Sequence, residues 1–103
     1  INGIKGTLGG SNYAASKGGI IALSRSLGYE VSSFGIRVNA LAPGYIETDM
    51  TSGLSEKQSM LIKRNIQLKR FGKPKEVANM VMFLAKGEHF LQNSVIEMDG
   101  GRI

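Results

Sequence analysis

The sequence predicts an α/β fold on three observations: a long apolar helical pattern closed by glycine, a β-branched run ending in proline-glycine, and a further helix followed by a strand. Residues 12–34 carry Ala14, Ile20, Ile21, Leu23 and Leu27 on apolar faces and Ser24, Arg25 and Glu30 on wetter ones, with Gly35 at the C-cap. Gly18 and Gly19 inside this helix each cost about 1 kcal/mol relative to alanine. That cost points to close approach by another backbone or a ligand. Residues 36–41 read as a strand, after which Ala42-Pro43-Gly44 reverses the chain. Residues 55–65 read as a short helix with Ser55 as N-cap. Pro74 opens a helix through Ala85, in a first turn that tolerates proline, and Val77, Val81 and Leu84 with Ala78, Met82 and Ala85 give it a wide apolar face. Residues 94–98 read as the last strand.

Tyr13-Ala14-Ala15-Ser16-Lys17 places a phenol and an ammonium four residues apart, on one face of the first helix. A lone tyrosine titrates near pH ~10 and is a poor proton donor at neutrality. A nearby cation favours the phenolate, so the pair is a candidate acid/base device with tyrosine moving the proton and lysine tuning it. Thirty residues after the tyrosine stands Pro43-Gly44-Tyr45-Ile46-Glu47-Thr48. At the C-terminal end of a parallel strand, such a turn lies where open α/β sheets bind ligands. Taken alone, the first motif is also an ordinary amphipathic contact and the second a plain turn.

Their order is more specific than either. The series runs from Tyr13–Lys17 through Pro43-Gly44 and Thr48 to Arg70-Phe71-Gly72 before the Pro74 helix. It closes with Val95-Ile96-Glu97-Met98-Asp99-Gly100-Gly101. Essentially the whole chain thus resembles the C-terminal part of the classical short-chain dehydrogenase/reductases, most of all the 3-oxoacyl-[acyl-carrier-protein] reductases among them. The resemblance implies a doubly wound, Rossmann-type parallel sheet and an NADP(H)-dependent ketoreductase acting on a 3-oxoacyl thioester in fatty-acid synthesis. It gives Tyr13 the role of proton donor and makes Lys17 both its tuner and a contact to the nicotinamide ribose. It assigns the nicotinamide carboxamide to the Pro43-Gly44 turn, the Ile46 backbone and the Thr48 hydroxyl. It further implies a homo-oligomer, a tetramer, in the cytoplasm or an organelle matrix.

The same resemblance sets expectations about extent. Ile1 stands where a start methionine would, so the chain is expected to begin inside a longer one and to form the C-terminal portion of one dinucleotide-binding domain. No strand precedes a G-x-G-x-x-G cluster; Gly3, Gly6, Gly9 and Gly10 are spaced wrongly for one. The family's serine lies thirteen positions before the tyrosine, one residue ahead of Ile1. The 103 residues are therefore expected neither to bind NADPH nor to react when isolated. Preference for NADP over NAD depends on residues outside this stretch.

Composition excludes several classes. Without cysteine there is neither a disulfide framework nor a thiolate metal site, and His89 has no ligand partners at suitable spacing, so no metal is expected. No apolar run approaches the ~20 residues of a membrane span. Between Glu56 and Glu76 seven basic residues oppose two acidic ones, so the whole net charge of +5 resides there. A basic rim suits an acidic acyl carrier protein, which it would attract at long range; a solvated helix face is the plain alternative. Ser32-Ser33-Phe34 departs from the basic residues that carrier-dependent reductases often place at that helix end. Without interleaved aromatics, nucleic acid is not the expected partner. Two functional alternatives stay open: a relative acting on a sugar, steroid or small alcohol, and a non-catalytic scaffold of this fold.

Overall fold

The computed structural model describes residues 11–101, apart from the side chains of residues 11–14 and 50. Its elements are α1 (Ser11–Val31), a 3-10 turn (Ser32–Phe34), β1 (Ala40–Pro43), α2 (Asp49–Ser52), α3 (Glu56–Arg64), α4 (Pro74–Lys86) and β2 (Val95–Met98). β1 and β2 pair in a two-stranded sheet. The Ala40 N–H donates to the Ser94 carbonyl and the Gly44 N–H to the Met98 carbonyl, each at 2.9 Å. The register advances equally along both strands, so the pairing is parallel. Helices and a parallel sheet make this the α/β class that the sequence predicts.

Two compact units divide the described chain, the first built from residues up to Ala42 with Phe90–Glu97, the second from Pro43–His89 with the residues from Met98 on. In the first, α1 stops at Val31 and tightens into the 3-10 turn, which Gly35 closes at φ 75°. Only glycine takes that left-handed conformation without strain. The predicted strand over residues 36–41 is corrected: ladder pairing begins at Ala40. Side-chain amides occupy the backbone before it. The Val38 N–H donates to Gln92 Oε1 at 2.8 Å, while Gln92 Nε2 reaches the carbonyls of Gly28 (3.1 Å) and Ile36 (3.3 Å). Asn39 bridges the Leu91 carbonyl and the Ser94 N–H at 3.2 and 3.0 Å. Gln92 thereby ties α1 to the approach of β1 by hydrogen bonds rather than by apolar packing.

Gly28, buried in this unit, is the glycine of α1 that packing requires: a Cβ there would collide with Asn93 Oδ1. Asn93 holds φ 56°, and its buried Oδ1 has no hydrogen-bond partner. At Gly19, by contrast, a Cβ would meet open space, so the close approach expected there is not found among the described residues. Ile20, Leu23 and Leu27 of α1 lie exposed.

The second unit has an apolar centre, Ile66 and Phe71, the buried hydrophobic residues among those described. Tyr45 meets the Phe71 ring at 6.0 Å between centroids, and Lys63 Nζ lies 4.9 Å from its centre. Beside it, the Gln67 and Leu68 N–H groups donate to the Gly101 and Gly100 carbonyls at 2.7 and 3.0 Å. Ser55 caps α3 as expected: its Oγ accepts from the Gln58 N–H (3.1 Å) and its N–H donates to Gln58 Oε1 (2.9 Å). At the head of α4, the Arg70 guanidinium forks onto both Glu76 oxygens at 2.8 and 3.0 Å, and the Lys73 N–H donates to Oε1 at 2.9 Å. α4 ends at Lys86, one residue beyond the predicted Ala85, with Gly87 as its C-cap at φ 79°.

Candidate active site

The first unit carries the two residues of the candidate acid/base pair. Tyr13 and Lys17 both fall in α1, four residues apart and hence on one face of the helix. The Lys17 side chain is exposed; the Tyr13 side chain lies outside the described residues.

The second unit carries the segment from Pro43 to Thr48; the chain reversal expected at residues 42–44 is corrected, because β1 runs on through Pro43 and the Gly44 N–H still pairs with the Met98 carbonyl. Pro43 ends β1, where its missing N–H costs no ladder bond. Gly44 is required by its own chain: a Cβ would lie 2.8 Å from the Cβ and 2.9 Å from the Cα of Asp99. Asp99 makes this close approach, and its Oδ1 in turn accepts from the Gly101 N–H at 2.9 Å. Two residues on, Ile46 forms an isolated parallel bridge with Gly72. Its bonds run from the Glu47 N–H to the Gly72 carbonyl and from the Gly72 N–H to the Tyr45 carbonyl, each at 2.8 Å.

This bridge fixes where Ile46 points. In extended chain, alternate residues present their peptide groups to opposite edges. Tyr45 and Glu47 face Gly72, so the Ile46 N–H and C=O face away. Among the described residues nothing accepts from the Ile46 N–H. A donor and an acceptor side by side on one extended residue match the C=O and NH₂ of a carboxamide, so Ile46 fits a nicotinamide amide.

Thr48 is the N-cap of α2, extended at φ −146° and ψ 177°. Its N–H donates to Thr51 Oγ1 at 2.8 Å. The Thr51 hydroxyl also lies 2.9 Å from the Thr48 carbonyl and 3.3 Å from the Ile46 carbonyl. Thr51 is not singled out by the sequence motifs, and Gly72 enters them only as the end of Arg70-Phe71-Gly72, with no role given to it. The signal for Thr51 was its place three residues after Thr48, the spacing of an N-cap and its N3 residue.

A cavity of about 180 Å³ also lies in this unit, lined by Tyr45, Leu68, Val77 and Met98 among others. It is smaller than the ~300 Å³ at which ligand pockets begin, which makes it a packing gap. Glu76 is the perturbed carboxylate of the region: the Arg70 guanidinium, then the Lys73 N–H, hold it down at about 2. Both partners are structural, and the shift marks a braced loop rather than an acid or base poised for chemistry.

The order of the motifs, the parallel strand ending at Pro43 and the outward-facing Ile46 peptide define one class. The family model described as enoyl-(acyl carrier protein) reductase matches residues 1–102, and the chain belongs to the short-chain dehydrogenase/reductase family. Within it, the chain is 46% identical over 104 residues to the 3-oxoacyl-[acyl-carrier-protein] reductase of Rickettsia felis, covering 100% of this chain and 43% of the relative. It is 47% identical over 102 residues to the reductase of that name from Thermotoga maritima, covering 98% and 42%. With the Chlamydia muridarum protein of that name the identity is 44%, covering 98% and 41%. The chain thus spans about two fifths of the length of the relatives it matches.

Proposed function

We propose that this chain is the portion of an NADPH-dependent 3-oxoacyl-thioester reductase that holds the proton donor and the nicotinamide amide. The observation that carries this reading is the Ile46 peptide, turned away from Gly72 with its N–H uncommitted at the end of parallel strand β1. The reductases of that name to which the chain is similar support the substrate class.

Bound NADPH supplies the hydride that adds to the ketone carbon. Everything else falls to the protein. The Ile46 backbone, with the Thr48 hydroxyl, holds the carboxamide and so fixes which ring face the substrate meets. Tyr13 donates its phenolic proton to the carbonyl oxygen as that oxygen gains charge. Lys17, one helical turn away, favours the resulting phenolate and binds the nicotinamide ribose. The product is the 3-hydroxyacyl thioester. The basic stretch from Lys57 to Lys75 attracts an acidic acyl carrier protein bearing the substrate. In this reading the whole protein is a cytoplasmic homotetramer.

The test uses the full-length protein and NADPH oxidation with an acetoacetyl thioester. Tyr13→Phe keeps the ring and loses the proton, so turnover is expected to fall at least ~10²-fold with NADPH binding retained. Lys17→Ala is expected to lower both turnover and NADPH affinity. Near-parental turnover in Tyr13→Phe overturns the mechanism.

A further inference from the structure

The Ile46–Thr48 segment is extended backbone beyond the end of β1, and only one of its edges is tied down, by Gly72. A peptide that must present a donor and an acceptor in one direction needs its other degrees of freedom removed as well. The Thr51 side chain is placed to remove them. From the first turn of α2, its Oγ1 accepts from the Thr48 N–H at 2.8 Å and lies 2.9 Å from the Thr48 carbonyl. The Ile46 carbonyl is 3.3 Å from the same oxygen. A threonine hydroxyl has one proton and two lone pairs, so it accepts from Thr48 N–H and donates to one carbonyl at a time. The Thr48 N–H is therefore held throughout, and the single Thr51 proton is shared between the Thr48 carbonyl, the nearer, and the Ile46 carbonyl.

We infer that Thr51 is a positioning residue for cofactor binding: its hydroxyl holds the Thr48 N-cap and, when its proton turns to Ile46, directs that carbonyl. The inference rests on the proposed function, because the group that Ile46 and Thr48 receive is the nicotinamide carboxamide. A carbonyl has two lone pairs. One directed at Thr51 leaves the other for the carboxamide NH₂, and the Ile46 N–H takes the carboxamide oxygen. Thr51 touches neither cofactor nor substrate in this arrangement; it acts through the backbone of the two residues that do. Half-buried Thr51 has near-isosteric replacements that separate the hydroxyl from the methyl.

The experiment compares Thr51→Val and Thr51→Ser in the full-length protein, reading the NADPH dissociation constant by fluorescence titration. Exchange of the Thr48 amide proton is followed without cofactor. Valine is expected to weaken NADPH binding about fivefold, the effect of one ordinary hydrogen bond, and to speed Thr48 exchange. Serine is expected to keep both at parental values. KM for NADPH should rise in the valine protein while its pH profile stays unchanged, since the proton donor is elsewhere. Parental affinity in Thr51→Val with a faster Thr48 amide overturns the inference and leaves the proposed function standing. Equal losses with serine and valine assign the effect to packing and likewise overturn it. Failure of the parent protein to bind NADPH at all overturns the proposed function, and this inference falls with it.

Discussion

The two units of this chain are held together by opposite means. In the first, the side-chain amide of Gln92 fastens α1, at Gly28, to the backbone of Ile36 and Val38, and the Asn39 amide ties the approach of β1 to Leu91 and Ser94. Ile20 and Leu23 of the same helix stay 53% and 66% exposed. In the second, Ile66 and Phe71 are buried at 3% and 7% exposure and are bordered by charges that pair or stack. Polar fastening fixes position but excludes little water, and each bond nets only about 1 kcal/mol against solvent. Apolar burial supplies the larger driving force and no direction. The proposed chemistry divides along the same line: the helix with the acid/base pair needs a set orientation, whereas the carboxamide-binding backbone needs a firm support behind it.

The largest effect is expected where the second unit concentrates its burial. Phe71→Ala should destabilise the full-length protein by about 3–5 kcal/mol, read as a lowered urea midpoint at unchanged slope. A loss below about 1 kcal/mol would mean that this unit, too, is fastened mainly by polar bonds, and the contrast would collapse.

The first unit offers a matched pair of glycines. Gly28→Ala drives a methyl against Asn93 and is expected to cost about 1–3 kcal/mol by overpacking. Gly19→Ala meets open space and should stabilise by about 0.4–1 kcal/mol through the unfolded chain. Thermal melts of the two proteins should shift in opposite directions. Destabilisation by Gly19→Ala would sharpen the picture differently, by showing that another backbone or a ligand does approach the helix there.

The smallest effect concerns the brace at the head of α4. The Glu76 carboxyl titrates at about 2 instead of 4.5 because Arg70 and the Lys73 N–H stabilise its charged form. Its contribution is accordingly complete above pH 4.5 and disappears as the pH falls toward 2. The pair is exposed, so the contribution is small and screened by salt. A carboxyl-carbon NMR titration should find the Glu76 midpoint well below that of the same carboxyl in Arg70→Gln. Coincident midpoints would break the assignment.

How much of this was legible beforehand varied with the range of the forces involved. The sequence by itself determined the α/β class, the caps at Gly35 and Ser55, the proline-led start of α4, the i, i+4 placement of Tyr13 and Lys17, and the family. Those features depend on local propensity and on motif order, which are written in neighbouring residues. It misplaced the start of β1 because β-branched Ile36 and Val38 favour a strand, while Gln92, more than fifty residues away, captures their backbone. It credited Gly19 and passed over Gly28, since propensity registers every helical glycine alike and only a neighbour in space makes one of them necessary. The tertiary structure alone decided that Gly44 yields to Asp99 and that Gly72 turns the Ile46 peptide outward. Peptide direction is a property of pairing partners, and a bridge between residues 46 and 72 has no local signature from which it could be read.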